Sequence, residues 1–201
     1  SSLISHILTK CNIKNMLIGN IGVAPLSKFL EDEKICVLEL SSHQLEFVKA
    51  SPNISVLLNI YPEHLDHYKS YDDYKLAKQN IFKYQKDNDV IIYNKDNIDI
   101  SKNLLNKSKS KKISLSYKDK ADIYIKNDTC FILDEKIDIE KIDLKIKGIH
   151  NLYNALFALS AISFLNVDIN KAIDAISSFE GLPHRLYYAG KINDVYYYND
   201  S

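Results

Sequence analysis

Two short runs constrain the fold of this chain more than any other feature. ICVLEL at residues 35–40 and ISVLLN at residues 54–59 are almost continuously apolar over the length of a strand. A strand with one wet face alternates apolar and polar side chains, so an unbroken apolar run is expected where a sheet is covered on both faces. The covering is written in the amphipathic stretches between such runs. Helices are predicted over 42–49, opened by Ser41-Ser42, over 71–85, capped by Ser70, over 151–164, and over 169–177, capped by Asp168. Further strands are predicted at 16–18, 89–93 and 113–116, with a polar helix between the last two. This alternation predicts an α/β fold, a mostly parallel sheet flanked by helices. Between 121 and 146 the pieces DIYIK, CFILD and IDLKI, joined by Asn-Asp and Asp-Glu turns, predict a small antiparallel sheet added to the main one. Residues 186–189 and 195–198 read as two closing strands around a turn. The chain opens on a helical pattern, SLISHIL, with no cap before it, and so reads as a helix that has lost its beginning.

Composition removes several function classes. The 201 residues suffice for one domain with a real core. Lysine and arginine number 26 and so do aspartate and glutamate, so the chain has no bulk attraction for nucleic acid or anionic lipid. Cys11, Cys36 and Cys130 are odd in number, widely spaced and form no CxxC, which fits free thiols in a reducing compartment. No apolar stretch is long enough to span a membrane, and Ser1 begins no signal peptide. The lysine-rich 101–112 stretch reads as a solvated face.

Ligands of an open parallel sheet collect just past the carboxyl ends of its strands. Asn20, Glu39, His64, the His150-Asn151 pair and Asp200 all fall at such places. Each alone has an ordinary reading as a turn, loop or surface residue, Glu39 excepted. A carboxylate ending an apolar strand is costly to desolvate without a compensating cation, and a hard divalent ion such as Mg²⁺ is a natural one. Lys78 shares the inward stripe of the 71–85 helix with Tyr74, Ala77 and Ile81, whereas Lys75 lies off it. Two readings of Lys78 stand: a stem that snorkels to the stripe's edge, or an amine whose lowered pKa lets it add CO₂ and become an acidic carbamate ligand. The cluster Pro62-Glu63-His64-Leu65-Asp66-His67 matches no strong zinc signature.

Taken together, these residues resemble the Mur ligase family, and within it the D-glutamate-adding branch. Gly19-Asn20-Ile21-Gly22 with Pro25-Leu26 is similar to GNIG-x-P-L, and residues 39–46 to ELSS-[FY]-QLE. Residues 59–78 resemble N-x-x-x-[DN]-HLD…Y-x-x-AK, and 147–154 resemble G-x-HN-x-x-N. Residues 181–185 match GLPHR, and Asn199-Asp200-Ser201 looks like the start of NDSKATN. Six motifs in order, with family-like spacing, span nearly the whole chain. Three departures stand out. His43 replaces Phe or Tyr, Glu63 replaces Asp or Asn, and Tyr187 stands where an acid often follows HR.

The resemblance implies a P-loop-type central, ATP-binding domain over residues 1–201, cut at both ends. A phosphate-binding loop and a UDP-binding domain would precede it, and a carboxy-terminal domain would follow. It implies a cytoplasmic, monomeric, ADP-forming ligase that adds D-glutamate to UDP-N-acetylmuramoyl-L-alanine through an acyl phosphate in peptidoglycan synthesis, with the fragment inactive alone. ATP and Mg²⁺ are the implied cofactors. By the same resemblance, Glu39, His64 and carbamylated Lys78 would hold the metal, with His64 and Lys78 catalytic. Asn20, Ser41, Gln44 and His64 would meet the muramoyl substrate. Asn151 would face adenine, Arg185 the phosphates and Asp200 the ribose. Other readings remain open: a relative with a different amino acid or a folate substrate, a non-catalytic nucleotide-binding module, or a metal hydrolase built on Glu39, His64 and Asp66.

Overall fold

The computed structural model describes residues 1–21, 35–105, 108–146, 148–182 and 187–199. The chain enters as helix α1 (Ser2–Lys10), and strand β1 (Asn15–Gly19) pairs in parallel with β2 (Ile35–Glu39) so that Gly19 stands opposite Glu39. Helix α2 (Ser42–Phe47) follows directly. Strand β3 (Ile54–Leu57) then begins a six-stranded sheet in which β4 (Val90–Asn94) and β5 (Lys111–Leu115) continue in parallel. Strands β6 (Ile123–Lys126), β7 (Thr129–Ile132) and β8 (Glu135–Asp138) extend it. β6 pairs in parallel with β5, and β7 and β8 are antiparallel to their neighbours, giving the order β3-β4-β5-β6-β7-β8.

The main sheet is covered on both faces, and β4 shows why its sequence lacks polar alternation. Val90 and Ile92 enter one core with α1, α4 (Ile149–Ser163) and α5 (Ile169–Ser177). Ile91 enters a second core with Leu57, Ile60, Tyr68, Tyr74, Ala77 and Phe82. The second core is covered by α3 (Tyr71–Lys83), capped by Ser70, whose hydroxyl accepts from the Asp73 N–H at 3.1 Å. Helix α4 is buried continuously from Ala155 to Ile162, since it touches the sheet on one side and α1 and α5 on others. α1 rests on β1 as well as on α4, and α4 on β3, so the β1–β2 pair and the main sheet share one helical layer.

The small antiparallel extension forms, but its third strand is Glu135–Asp138. The IDLKI segment at 142–146 buries Ile142 and forms no ladder. Asn127-Asp128 makes the first turn with both residues at positive φ, +48° and +56°, as a two-residue hairpin twisted like its strands requires. Asn193-Asp194 repeats the device, at +47° and +63°, between β9 (Tyr187–Ile192) and β10 (Val195–Asn199). In place of the polar helix expected before β5 there is a π-helical turn, Asp99–Leu104, whose Ile100 plugs the α3 core.

Candidate functional site

The site grows from the end of the β1–β2 ladder. Gly19 has φ +111°, and a Cβ there would lie 3.1 Å from the Glu39 carbonyl carbon and closer still to its oxygen. Only glycine lets the chain leave β1 this close to β2. The turn puts the Asn20 N–H 2.7 Å from the Glu39 carbonyl oxygen, which accepts it, and leaves Asn20 exposed beside the acid. Glu39 is half-buried, and the Ser1 end of α1 lies within its electrostatic reach.

Immediately after β2, Ser41 and Gln44 form a capping box. The Gln44 N–H donates to Ser41 Oγ at 3.2 Å, and the Ser41 N–H donates to Gln44 Oε1 at 2.9 Å. Both side chains expected to meet substrate thus also fix the start of α2. At its other end α2 is fastened to α3, where the buried Asn80 amide donates to the Leu45 carbonyl at 2.9 Å. Past β3, Asn94 Nδ2 donates to Asn59 Oδ1 at 2.9 Å, and Asn97 Nδ2 donates to the Ile60 carbonyl at 3.0 Å, anchoring the loop that carries His64. His64 itself has φ +55°, an uncommon conformation for a histidine, of the kind that concentrates at functional sites.

Lys78 is the centre of this rim. It is half-buried on α3 with its ammonium 5.8 Å from the centroid of the Tyr74 ring, one turn earlier. Burial pulls its pKa below the usual lysine value, and the carboxylates of Glu63 and Glu39 pull the other way. Glu63 also acts electrostatically on the Tyr74 phenol. Burial first, and Glu63 second, raise that phenol's pKa. Glu39, Glu63, Tyr74 and Lys78 therefore form one electrostatic group. His64 borders it, its ring centroid 6.2 Å from that of Tyr74 and 4.8 Å from that of His43. Sequence reasoning assigned no role to Glu63, Tyr74 or His43. The i,i+4 spacing of Tyr74 and Lys78 was the available signal for one of them.

Three buried hydroxyls, on Ser2, Ser42 and Tyr68, lack hydrogen-bond partners among the described residues. All three belong to segments that reach this rim, and buried polar groups are normally satisfied. No three His, Cys, Asp or Glu side chains converge tightly enough to cage an ion among the described residues. The donor set does fit Mg²⁺, which is held by one or two carboxylates with water and phosphate oxygens completing the shell. Asn151 sits in the first turn of α4, where its Oδ1 accepts from the Asn154 amide at 3.4 Å. Gly148 at φ +106° precedes it, where a Cβ would strike the His150 ring. Arg185 and Asp200 lie outside the described residues.

A family model described as the Mur ligase middle domain matches residues 1–162. The chain belongs to the Mur ligase middle-domain family. Among relatives of this Mur ligase domain, the UDP-N-acetylmuramoylalanine–D-glutamate ligase of Clostridium kluyveri is 36% identical over 207 residues, covering 100% of this chain and 44% of the relative. The enzyme of the same name from Clostridium novyi is 35% identical over 206 residues, with the same coverage. The chain thus spans less than half the length of the curated relatives it matches. Among solved structures, MurF from Acinetobacter baumannii superposes with a TM-score of 0.74 at 15% identity, covering 99% of this chain and 47% of that one. A UDP-N-acetylmuramoyl-L-alanyl-D-glutamate–2,6-diaminopimelate ligase gives 0.75 at 19%, covering 95% and 46%. Both establish the Mur ligase fold. No helix among the described residues is long and apolar enough to cross a membrane.

Proposed function

We propose that this domain is the ATP-handling centre of a longer cytoplasmic ligase that joins D-glutamate to UDP-N-acetylmuramoyl-L-alanine in peptidoglycan synthesis. The observation that carries the reading is the full-length match of this chain to relatives bearing that enzyme's name. The chemistry of the rim supports it. In the first step a carboxylate oxygen of the L-alanyl group attacks the γ-phosphorus of ATP, the bond to the β-phosphate oxygen breaks, and acyl phosphate and ADP form. In the second the D-glutamate amine attacks the acyl carbon, loses a proton, and phosphate leaves. The first step brings an anion onto a polyanion, so cationic compensation dominates its barrier.

Glu39 and His64 would hold Mg²⁺, which supplies that compensation when bound. Lys78 would join them as a carbamate, formed when its neutral amine adds CO₂ and releases a proton. Its desolvated position favours the neutral amine that this addition needs. Asn20, exposed beside Glu39, would orient the alanyl carboxylate together with His64, and Ser41 and Gln44 would flank it. Asn151 would meet adenine, Arg185 the phosphates and Asp200 the ribose. Preceding and following domains would supply the UDP grip and part of the amino-acid site, and the whole would act as a monomer.

The test is phosphate release by the intact ligase with UDP-N-acetylmuramoyl-L-alanine, ATP and, in parallel, D-glutamate, meso-diaminopimelate or L-lysine. The reading requires turnover with D-glutamate and none with the other two. Turnover with either of those instead assigns a different branch, and nucleotide binding without turnover makes the domain non-catalytic. Intact mass under CO₂-retaining conditions tests the carbamate; an unmodified Lys78 in the metal-loaded enzyme rejects it.

A further inference from the structure

The rim holds a side chain whose position the proposed chemistry does not use. His43, exposed on the first turn of α2, is the hub of a ring cluster. Its imidazole centroid is 4.8 Å from His64 at an interplanar angle of 74°, 4.4 Å from His67 at 56°, and 5.8 Å from Tyr68 at 40°. No other ring touches both histidines of the 64–67 turn among the described residues. One turn further along α2, Glu46 Oε2 lies 2.9 Å from His67 Nε2. The turn is thus gripped from α2 at two points, and the cluster continues through Tyr68 to Tyr74 on α3, with centroids 5.5 Å apart.

His64 needs such a grip. Its backbone is in the left-handed region, its side chain is exposed, and among the described residues the only other ring near it is Tyr74, 6.2 Å away. A free imidazole at that site would sample several rotamers, each at an entropy cost when fixed by a ligand. We propose that His43 is a positioning residue: wedged between His64 and His67, it holds the His64 ring in its orientation beside Tyr74, the residue one turn before Lys78. What the wedge supplies is a flat ring at edge-to-face distance, so its shape matters and its proton does not. The functional consequence rests on the ligase reading, whereas the positioning itself does not.

Two measurements keep these apart. In the chain itself, aromatic NOEs between His64 and the His43 and Tyr74 rings report the orientation. In H43A the His64–Tyr74 NOE should vanish while the amide spectrum away from residues 41–68 stays unchanged. In H43F it should persist. In the intact ligase, H43A should lower kcat at least tenfold with the KM for ATP within about twofold of the parent, because a small misplacement of a reacting group costs rate rather than nucleotide binding. H43F should recover most of the loss. An unchanged His64–Tyr74 NOE in H43A, or an H43F that behaves like H43A, overturns the proposal. NOEs that respond as stated in a protein with no ligase activity leave the positioning intact and reject the ligase reading alone.

Discussion

Replacing Gly19 by alanine should damage this molecule more than any other single methyl addition in the rim. The added carbon would meet the Glu39 carbonyl group, 3.1 Å from its carbon and 3.2 Å from the Glu39 nitrogen, with the oxygen nearer still. All of these are backbone atoms paired in register with Gly19, so no side chain can swing aside. The φ of +111° adds a conformation that a residue with a Cβ strongly resists. Strain of this kind costs on the order of 1–3 kcal/mol. If the Glu39 carbonyl retreats, it also loses the Asn20 N–H, a bond contributing about 1 kcal/mol. The sum is roughly 2–4 kcal/mol. With a urea m-value of about 2 kcal/mol/M, the unfolding midpoint should fall by roughly 1–2 M. G190A is the comparator: φ there is +152° with nothing within 4 Å of the Cβ position, so it carries backbone strain without collision and should fall less. A G19A midpoint within about 0.2 M of the parent, or one no lower than that of G190A, would refute the claim that close approach at the ladder's end makes Gly19 necessary.

Two further outcomes follow from buried groups. Cys130 is fully buried, and burial, with a small contribution from Asp138, pushes its thiol up to about 11. At pH 8 iodoacetamide should label the half-buried Cys11 and Cys36 while Cys130 reacts only at the rate of unfolding; prompt triple labelling of the native chain counts against the described core. Lys78 gives a pH signature. Its native pKa is depressed from 10.5, so between the depressed value and 10.5 the unfolded chain holds a proton that the native state has shed. Stability should therefore rise with pH across that window, relative to K78M, in which the difference disappears. Parallel stability–pH curves for the two proteins would mean that Lys78 is not desolvated.

The sheet and its helices were legible because their signals are local. The apolar run of β4 marks a strand covered twice, although β2 leaves Leu38 exposed, and caps such as Ser70 and Asp168 sit where helices begin. The third added strand was misplaced because IDLKI alternates three apolar residues with polar ones, whereas EKID carries a single apolar residue, and the choice between them is made by pairing. In the β7–β8 hairpin, Ile137 faces Cys130 in register and shares its burial. The helical period likewise identified Lys78 as inward without saying what it would meet.

What it meets is set by a reversal that no residue type announced. At φ +55° His64 turns the backbone, in a loop that brings Glu63 within electrostatic reach of Tyr74 and Lys78 and the His64 ring against His43 and Tyr74. Gly or Asn would have flagged such a turn more strongly than histidine, which is enriched at positive φ but is common elsewhere too. The turn also makes Glu63 more than a copy of a shorter acid. Its extra methylene lengthens the reach from that turn to α3, where its charge acts on the Tyr74 phenol and opposes the desolvation of Lys78. The acid beside His64 and the tyrosine one turn before the lysine therefore belong to one arrangement, assembled by the loop after β3 and the docking of α3.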